Sequence, residues 1–121
     1  QVAGFDFGLP SITADAVVCG GGGNDIIWNN ASSTFSGTFY GGKGDDAVGH
    51  LTGTFEGGPG RDSVMELAGG SFSGGQGTDV VQVACAGTFA GGPGSDAAGV
   101  GTGSTSTLKR VEATFSVGIA C

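Results

Sequence analysis

Five times in this chain one hexapeptide returns: GGGGND at 20–25, GGKGDD at 41–46, GGPGRD at 57–62, GGQGTD at 74–79 and GGPGSD at 91–96, each fitting G-G-x-G-x-D. A repeat this short cannot bury its own apolar side chains and must stack on its neighbours, so it points to a solenoid before any local structure is read. Three glycines per copy take 15 of the 28 glycines in 121 residues, where average usage would give roughly eight. Glycine at this density excludes a helical bundle, since each one inside a helix costs about 1 kcal/mol relative to alanine. Collagen is excluded as well, because its glycine comes every third residue with abundant proline, and this chain has three prolines. The surplus is ordered, and 38% of residues are apolar, which argues against disorder.

The closing aspartates, Asp25, Asp46, Asp62, Asp79 and Asp96, set a repeat of about 17 residues after a longer first interval. Two places beyond each stands an apolar residue: Ile27, Val48, Val64, Val81 and a weaker Ala98. The other half of each repeat carries Phe39, Phe55, Phe72 or Phe89, each directly after Thr38, Thr54, Ser71 or Thr88. Two short strands joined by two turns then make one coil, and stacking builds an aliphatic ladder facing an aromatic one. The expected fold is all-β: a right-handed parallel β-roll or β-solenoid of about five coils with non-repeat caps. Residues 1–19 are expected as an N-terminal cap, 20–99 as the repeats and 100–121 as a C-terminal capping strand. Within that strand, 107–115 reads as one last strand, with its charges in solvent and Phe115 extending the aromatic ladder. The segment 29–40 reads as a bulged turn, and Asn30-Ala31-Ser32 fits a glycosylation sequon.

Glycine at places one, two and four of each loop permits positive φ and a path that turns carbonyls inward, while the aspartate adds a carboxylate. Oxygen donors in a flexible cage suit Ca²⁺. Stacking sets the five aspartates in a row about 5 Å apart, where neighbours repel by about 3 kcal/mol per pair at an effective dielectric constant near 20. Five loops leave four gaps, so about four calcium ions are expected along one edge. Their +8 would offset the formal charge of −7 that 11 carboxylates and four basic residues create. The plainer reading of a single such loop is turn chemistry alone; five copies in register with the core ladders favour metal. With three apolar side chains per coil against about 17 residues to order, the metal-free chain is expected to be marginal or unfolded.

The five loops with their trailing Asp-x-(Val/Ile) resemble the nonapeptide G-G-x-G-x-D-x-U-x of the RTX, or hemolysin-type calcium-binding, repeat family, over about residues 14–100. The resemblance implies that each loop holds Ca²⁺ through its aspartate and backbone carbonyls and that the U residue enters the core. By motif position the implied ligands are Gly20, Gly22, Asn24 and Asp25 in the first loop and Gly41, Lys43, Asp45 and Asp46 in the second. Gly57, Pro59, Arg61 and Asp62 follow in the third, Gly74, Gln76, Thr78 and Asp79 in the fourth, and Gly91, Pro93, Ser95 and Asp96 in the fifth. In that family both halves of a coil carry the motif; here one half carries the Ser/Thr-Phe pattern instead, so calcium is expected on one edge only. Asp15 could belong to a degenerate earlier loop.

The acidic balance argues against nucleic acid as a partner, and no apolar run approaches the 18 residues of a membrane span. The start at Gln1 and the dependence on calcium suggest a secreted chain, extracellular or at the cell surface. No enzyme is expected: no H-E-x-x-H or G-x-S-x-G occurs, and the single histidine, His50, reads as a surface-turn residue. The reading preferred is a structural or assembly protein of a matrix, surface layer or filament. Its alternatives are an ice-binding protein using the Thr/Ser ladder, and a repeat module of a secreted enzyme, toxin or adhesin. Three cysteines leave two pairings open. Cys19 with the next chain's Cys121 would link copies head to tail, while an internal bridge from Cys85 to Cys121 would leave Cys19 buried and free.

Overall fold

The computed structural model describes residues 5–6, 11–12, 17–28 and 34–121. Asp15, the sequon at 30–32 and part of the bulged turn expected over 29–40 lie outside them. The strands are β1 (Phe5–Asp6), β2 (Ser11–Ile12), β3 (Val17–Cys19), β4 (Ile26–Trp28), β5 (Thr34–Phe35), β6 (Thr38–Tyr40), β7 (Ala47–Leu51), β8 (Thr54–Glu56), β9 (Ser63–Ser73), β10 (Val80–Ala90), β11 (Ala97–Thr102), β12 (Thr107–Lys109) and β13 (Ala113–Ala120). Among the described residues every pairing is parallel and joins a strand to one a coil away. One side of the stack runs β1-β4-β7-β9-β10-β11-β13 and the other β3-β6-β8-β9-β10-β12. This is a β-solenoid of about six turns: the five motif-bearing coils, a preceding turn from β1 to β3, and a last rung, β13. No helix is long and apolar enough to cross a membrane among the described residues.

The expected ladders are in register. Val48, Val64, Val81 and Ala98 pair in succession, as do Phe39, Phe55, Phe72 and Phe89, and all are buried. Successive ring centroids are 4.9, 4.8 and 5.0 Å apart, and the rings lie within 11° of parallel. Aromatic pairs left to themselves choose offset or edge-to-face arrangements. Here the strand spacing near 4.8 Å fixes the ring separation and leaves stacking as the geometry that fits. Phe35, Leu51, Leu67 and Ala84 form a third buried row between the two sides.

A second column of glycines turns the chain at the corner opposite the aspartate loops. Gly70 and Gly87 adopt φ of 68° and 85°, and a Cβ on Gly70 would strike the carbonyl oxygen of Gly53 in the coil before. That contact explains why glycine recurs directly before the Ser/Thr-Phe pair. The hydroxyl row of Thr38, Thr54, Ser71 and Thr88 is continuous and gains Thr107. The row beside it holds Tyr40, Glu56, Ser73, Ala90 and Lys109, so this outer face is not a uniform threonine surface.

Four expectations need correction, and the choice left open between the two cysteine pairings is decided. Residues 107–115 are not one strand: the chain turns at Arg110, whose φ is 53°, so β12 and β13 lie on different sides of the stack. Leu108, not Phe115, therefore tops the aromatic ladder by pairing with Phe89, while Phe115 pairs with Gly99 on the other side and is 50% exposed. Cys85 and Cys121 form a disulfide with Cα atoms 5.3 Å apart, within bonding reach, so Cys121 is not free to join the next chain's Cys19. Cys19 is indeed free, but it is exposed, because it lies beside Tyr40 on the outward row. His50 belongs to β7 rather than to a turn, and its Nε2 lies 3.3 Å from Glu66 Oε1 one coil on.

Candidate metal edge

The five G-G-x-G-x-D loops stack along one edge of the solenoid. Their second and fourth glycines all take positive φ, for instance 84° at Gly58 and 120° at Gly60. The first glycine of each loop has a different role. A Cβ on Gly20, Gly41, Gly57, Gly74 or Gly91 would fall on the Oδ2 atom of that loop's own aspartate. The position is glycine because the carboxylate folds back against it, and not because the backbone needs the left-handed region.

The aspartates form a directional hydrogen-bond ladder. Asp25 N–H donates to Asp46 Oδ1, Asp46 N–H to Asp62 Oδ1, Asp62 N–H to Asp79 Oδ1 and Asp79 N–H to Asp96 Oδ1, each at 2.9 Å. Each aspartate's carbonyl also accepts the N–H of the first strand residue one coil on, as in Ser63 to Asp46 at 2.9 Å and Val80 to Asp62 at 3.0 Å. All five side chains are at most 1% exposed. Every Oδ2 is buried and, among the described residues, has no hydrogen-bond partner; the same holds for Asp25 Oδ1.

Such oxygens are expensive. A buried acceptor without a donor loses its hydration outright, and a buried ionised carboxylate loses more. Desolvation is the main force on these groups and pushes the Asp62 carboxyl up to about 8 and Asp79 to about 7; it raises Asp46 and Asp96 as well. The N–H bond from the preceding aspartate opposes the shift, and neighbouring carboxylates add to it: Asp79 and Asp46 around Asp62, Asp96 beside Asp79. A row of this kind requires either protons or cations.

The third- and fifth-place residues named from the motif behave differently. Gly22, Lys43, Pro59, Gln76 and Pro93 at the third place, and Asn24, Asp45, Arg61, Thr78 and Ser95 at the fifth, are exposed or at the rim. They offer a cation their carbonyls more than their side chains. Two third-place carbonyls also accept N–H from the preceding loop, Gln76 from Gly60 at 3.0 Å and Pro93 from Gly77 at 3.2 Å. At the fifth place Asn24 Oδ1 accepts Asp45 N–H at 2.8 Å, and Asp45 Oδ1 accepts Arg61 N–H at 2.9 Å, a second and outer ladder. Among the described residues no three His, Cys, Asp or Glu side chains converge on one point. A cation on this edge would therefore take one or two carboxylates and complete its shell with loop carbonyls and water, which is oxygen chemistry suited to Ca²⁺ rather than to a thiolate- or imidazole-seeking metal.

One member of the row escaped the motif. Glu112 Oε1 accepts the Asp96 N–H at 2.7 Å, in the role that each aspartate plays for the one before it. Its loop is abbreviated: the Arg110 carbonyl stands where the first-place carbonyl of the next loop stands elsewhere, and Glu112 follows two residues later. No glycine motif marks it, but its separation of 16 from Asp96 is that of Asp46 from Asp62.

Compared with family models, with curated proteins and with solved structures, the chain matches none.

Proposed function

We propose that this chain is a calcium-dependent structural module: a β-solenoid that completes its folding around a row of Ca²⁺ ions on the aspartate edge and serves extracellularly as an assembly or scaffold element. The observation that carries the reading is the unbroken row of buried, unpartnered Oδ2 atoms on Asp25, Asp46, Asp62, Asp79 and Asp96. The aspartates would supply the charge, and the first-, third- and fifth-place carbonyls of adjacent loops would supply neutral oxygens. The ions would contribute no reaction; they would relieve the repulsion along the row and join each coil to the next. The resemblance to RTX repeats supports the reading through the loop motif. Calcium at extracellular concentration would keep the sites filled, which favours that setting.

The test is circular dichroism and thermal melting during a calcium titration, followed by excess chelator, with the bound metal counted by elemental analysis. The expected result is a β-sheet signal and a melting temperature that rise with calcium, fall with chelator and saturate near four ions per chain. A melting temperature indifferent to both reagents overturns the proposal.

A further inference from the structure

Of the five aspartates in the row, Asp96 alone is followed by no further G-G-x-G-x-D loop. Its Oδ2 is nevertheless in the same state as the others: the side chain is 1% exposed, and among the described residues that oxygen has no hydrogen-bond partner. The glycines show which way such an oxygen faces. A Cβ on Gly20 would lie 2.5 Å from Asp25 Oδ2 and 2.7 Å from the carbonyl oxygen of Gly41, and one on Gly41 would lie 2.5 Å from Asp46 Oδ2 and 2.9 Å from that of Gly57. The Oδ2 of one loop thus shares a space with the first-place carbonyl of the next. At Gly91 the pattern persists, with Asp96 Oδ2 and the Arg110 carbonyl oxygen each 2.5 Å from the Cβ position. At most about 5 Å separates these two oxygens, a span that one cation with bonds of about 2.4 Å can bridge. Ions confined to the four gaps between motif loops would leave Asp96 Oδ2 buried and unsatisfied.

The segment facing Asp96 is a loop with its middle removed. Gly91 N–H donates to the Lys109 carbonyl at 2.9 Å, as Gly74 N–H does to that of Ala90, which puts Arg110 in the first place. Ala113 pairs with Ala97, and Glu112 N–H donates to the Asp96 carbonyl at 3.0 Å, which puts Glu112 in the place of the acid. The chain therefore runs from first place to acid in three residues, Arg110 to Glu112, where each motif loop takes six. The turn that allows this is at Arg110, the one non-glycine residue with positive φ among the described residues. Glu112 Oε1 accepts the Asp96 N–H at 2.7 Å, and Oε2 takes no part in that bond. Glu112 is also exposed, so its charge stays hydrated and ionised until a cation arrives.

We propose that Asp96, Glu112 and the Arg110 carbonyl form a further calcium site beyond the four gaps, a clamp that docks the last rung onto the stack. The proposal rests on the reading of the aspartate edge as a calcium row. Two carboxylates supply the charge, and the Arg110 carbonyl supplies a neutral oxygen. The missing third- and fifth-place carbonyls leave more of the shell to water, so the clamp fills after the inner gaps and after the β signal of the coils has saturated. Its effect is local. β13 begins directly after Glu112, and its far end is held by the Cys85–Cys121 disulfide. Calcium thus sets whether the near end of this exposed strand is docked, while the disulfide keeps the far end in place at any calcium concentration.

Amide exchange of the full, disulfide-intact chain at stepped free calcium tests this, with bound calcium counted by elemental analysis and circular dichroism confirming the fold of each variant. Protection of 63–90 is expected at the lower calcium concentration, and protection of 113–117 at a separate, higher midpoint together with one further ion. Glu112→Gln keeps an acceptor for the Asp96 N–H and removes the charge. It is expected to raise the 113–117 midpoint on the order of tenfold and to bind one ion fewer at calcium that fills the wild-type clamp, with 63–90 unchanged. Arg110→Gly keeps the carbonyl and suits the turn, so it is expected to retain the ion. Glu66→Gln, in mid-strand away from this edge, is expected to leave the 113–117 midpoint where it is. Exchange over 113–117 that ignores calcium while 63–90 responds overturns the clamp alone, as does a folded Glu112→Gln with the wild-type midpoint. A chain whose exchange and metal content ignore calcium throughout overturns the calcium row and the clamp together.

Discussion

Asp62 has its two carboxylate oxygens in opposite situations: Oδ1 accepts the Asp46 N–H at 2.9 Å, and Oδ2 is buried against Gly57 with no partner. Asp62→Asn keeps the acceptor and removes the charge, so its effect should change sign with metal. In chelator the variant should melt higher than the wild-type chain, by about 4 °C or more if the relief reaches 1 kcal/mol; in saturating calcium it should melt lower and bind fewer ions. Calorimetry under both conditions checks this. The pH response should invert in the same way. Without metal, the folded carboxyls titrate at about 8 for Asp62 and about 7 for Asp79, above the ordinary 3.8. Protons therefore favour the folded form: this contribution is complete below pH 3.8 and is lost as pH rises through about 7 to 8. With calcium bound, the ionised row is the stable one, and acid should destabilise by displacing metal. Melting temperatures across pH 5 to 9 with chelator and with calcium should slope in opposite directions.

At the scale of the element, each coil is held by three buried rows, and the aromatic one is the most demanding. Removing the ring at Phe72, between Phe55 and Phe89, should cost about 3–5 kcal/mol in chemical denaturation of the calcium-loaded protein. Phe72→Leu should cost less, since Leu108 already continues that row beyond Phe89. Gly74→Ala should act elsewhere: its Cβ would displace the Asp79 carboxylate, so the calcium midpoint should rise more than the core weakens. These rows were legible in the sequence because the Val, Phe and Asp positions recur at a fixed spacing, and in a parallel stack equal spacing means contact. Glu112 was not legible, because its loop lost the glycines by which loops were recognised and kept only the interval. Phe115 misled because Ser/Thr-Phe also occurs in Ala113-Thr114-Phe115, and only the turn at Arg110 shows that this copy sits on the other side. The cysteine pairing depended on where β13 ends, which no periodicity encodes.

For the whole molecule, the disulfide adds a covalent tie, beyond the backbone itself, between the repeats and the last rung. It joins Cys85 in β10 to Cys121, 36 residues on, and closes a loop that in chain-entropy terms contributes about 3–4 kcal/mol. Cys121→Ser should therefore free β13 first: amide exchange over 113–120 should accelerate, while the central strands β9 and β10 keep their protection. The aspartate ladder bears on size in another way. Every bond in it runs from one coil's N–H to the next coil's carboxylate, and the row ends on Glu112 beside Lys109 and Arg110. Neither end dictates how many coils lie between. A duplicated segment 74–90 would find a donor below it and an acceptor above it, and would lengthen the solenoid by about 4.8 Å without altering its ends. The fold is in this sense a ruler graduated in 17-residue steps, whose length is set by copy number alone.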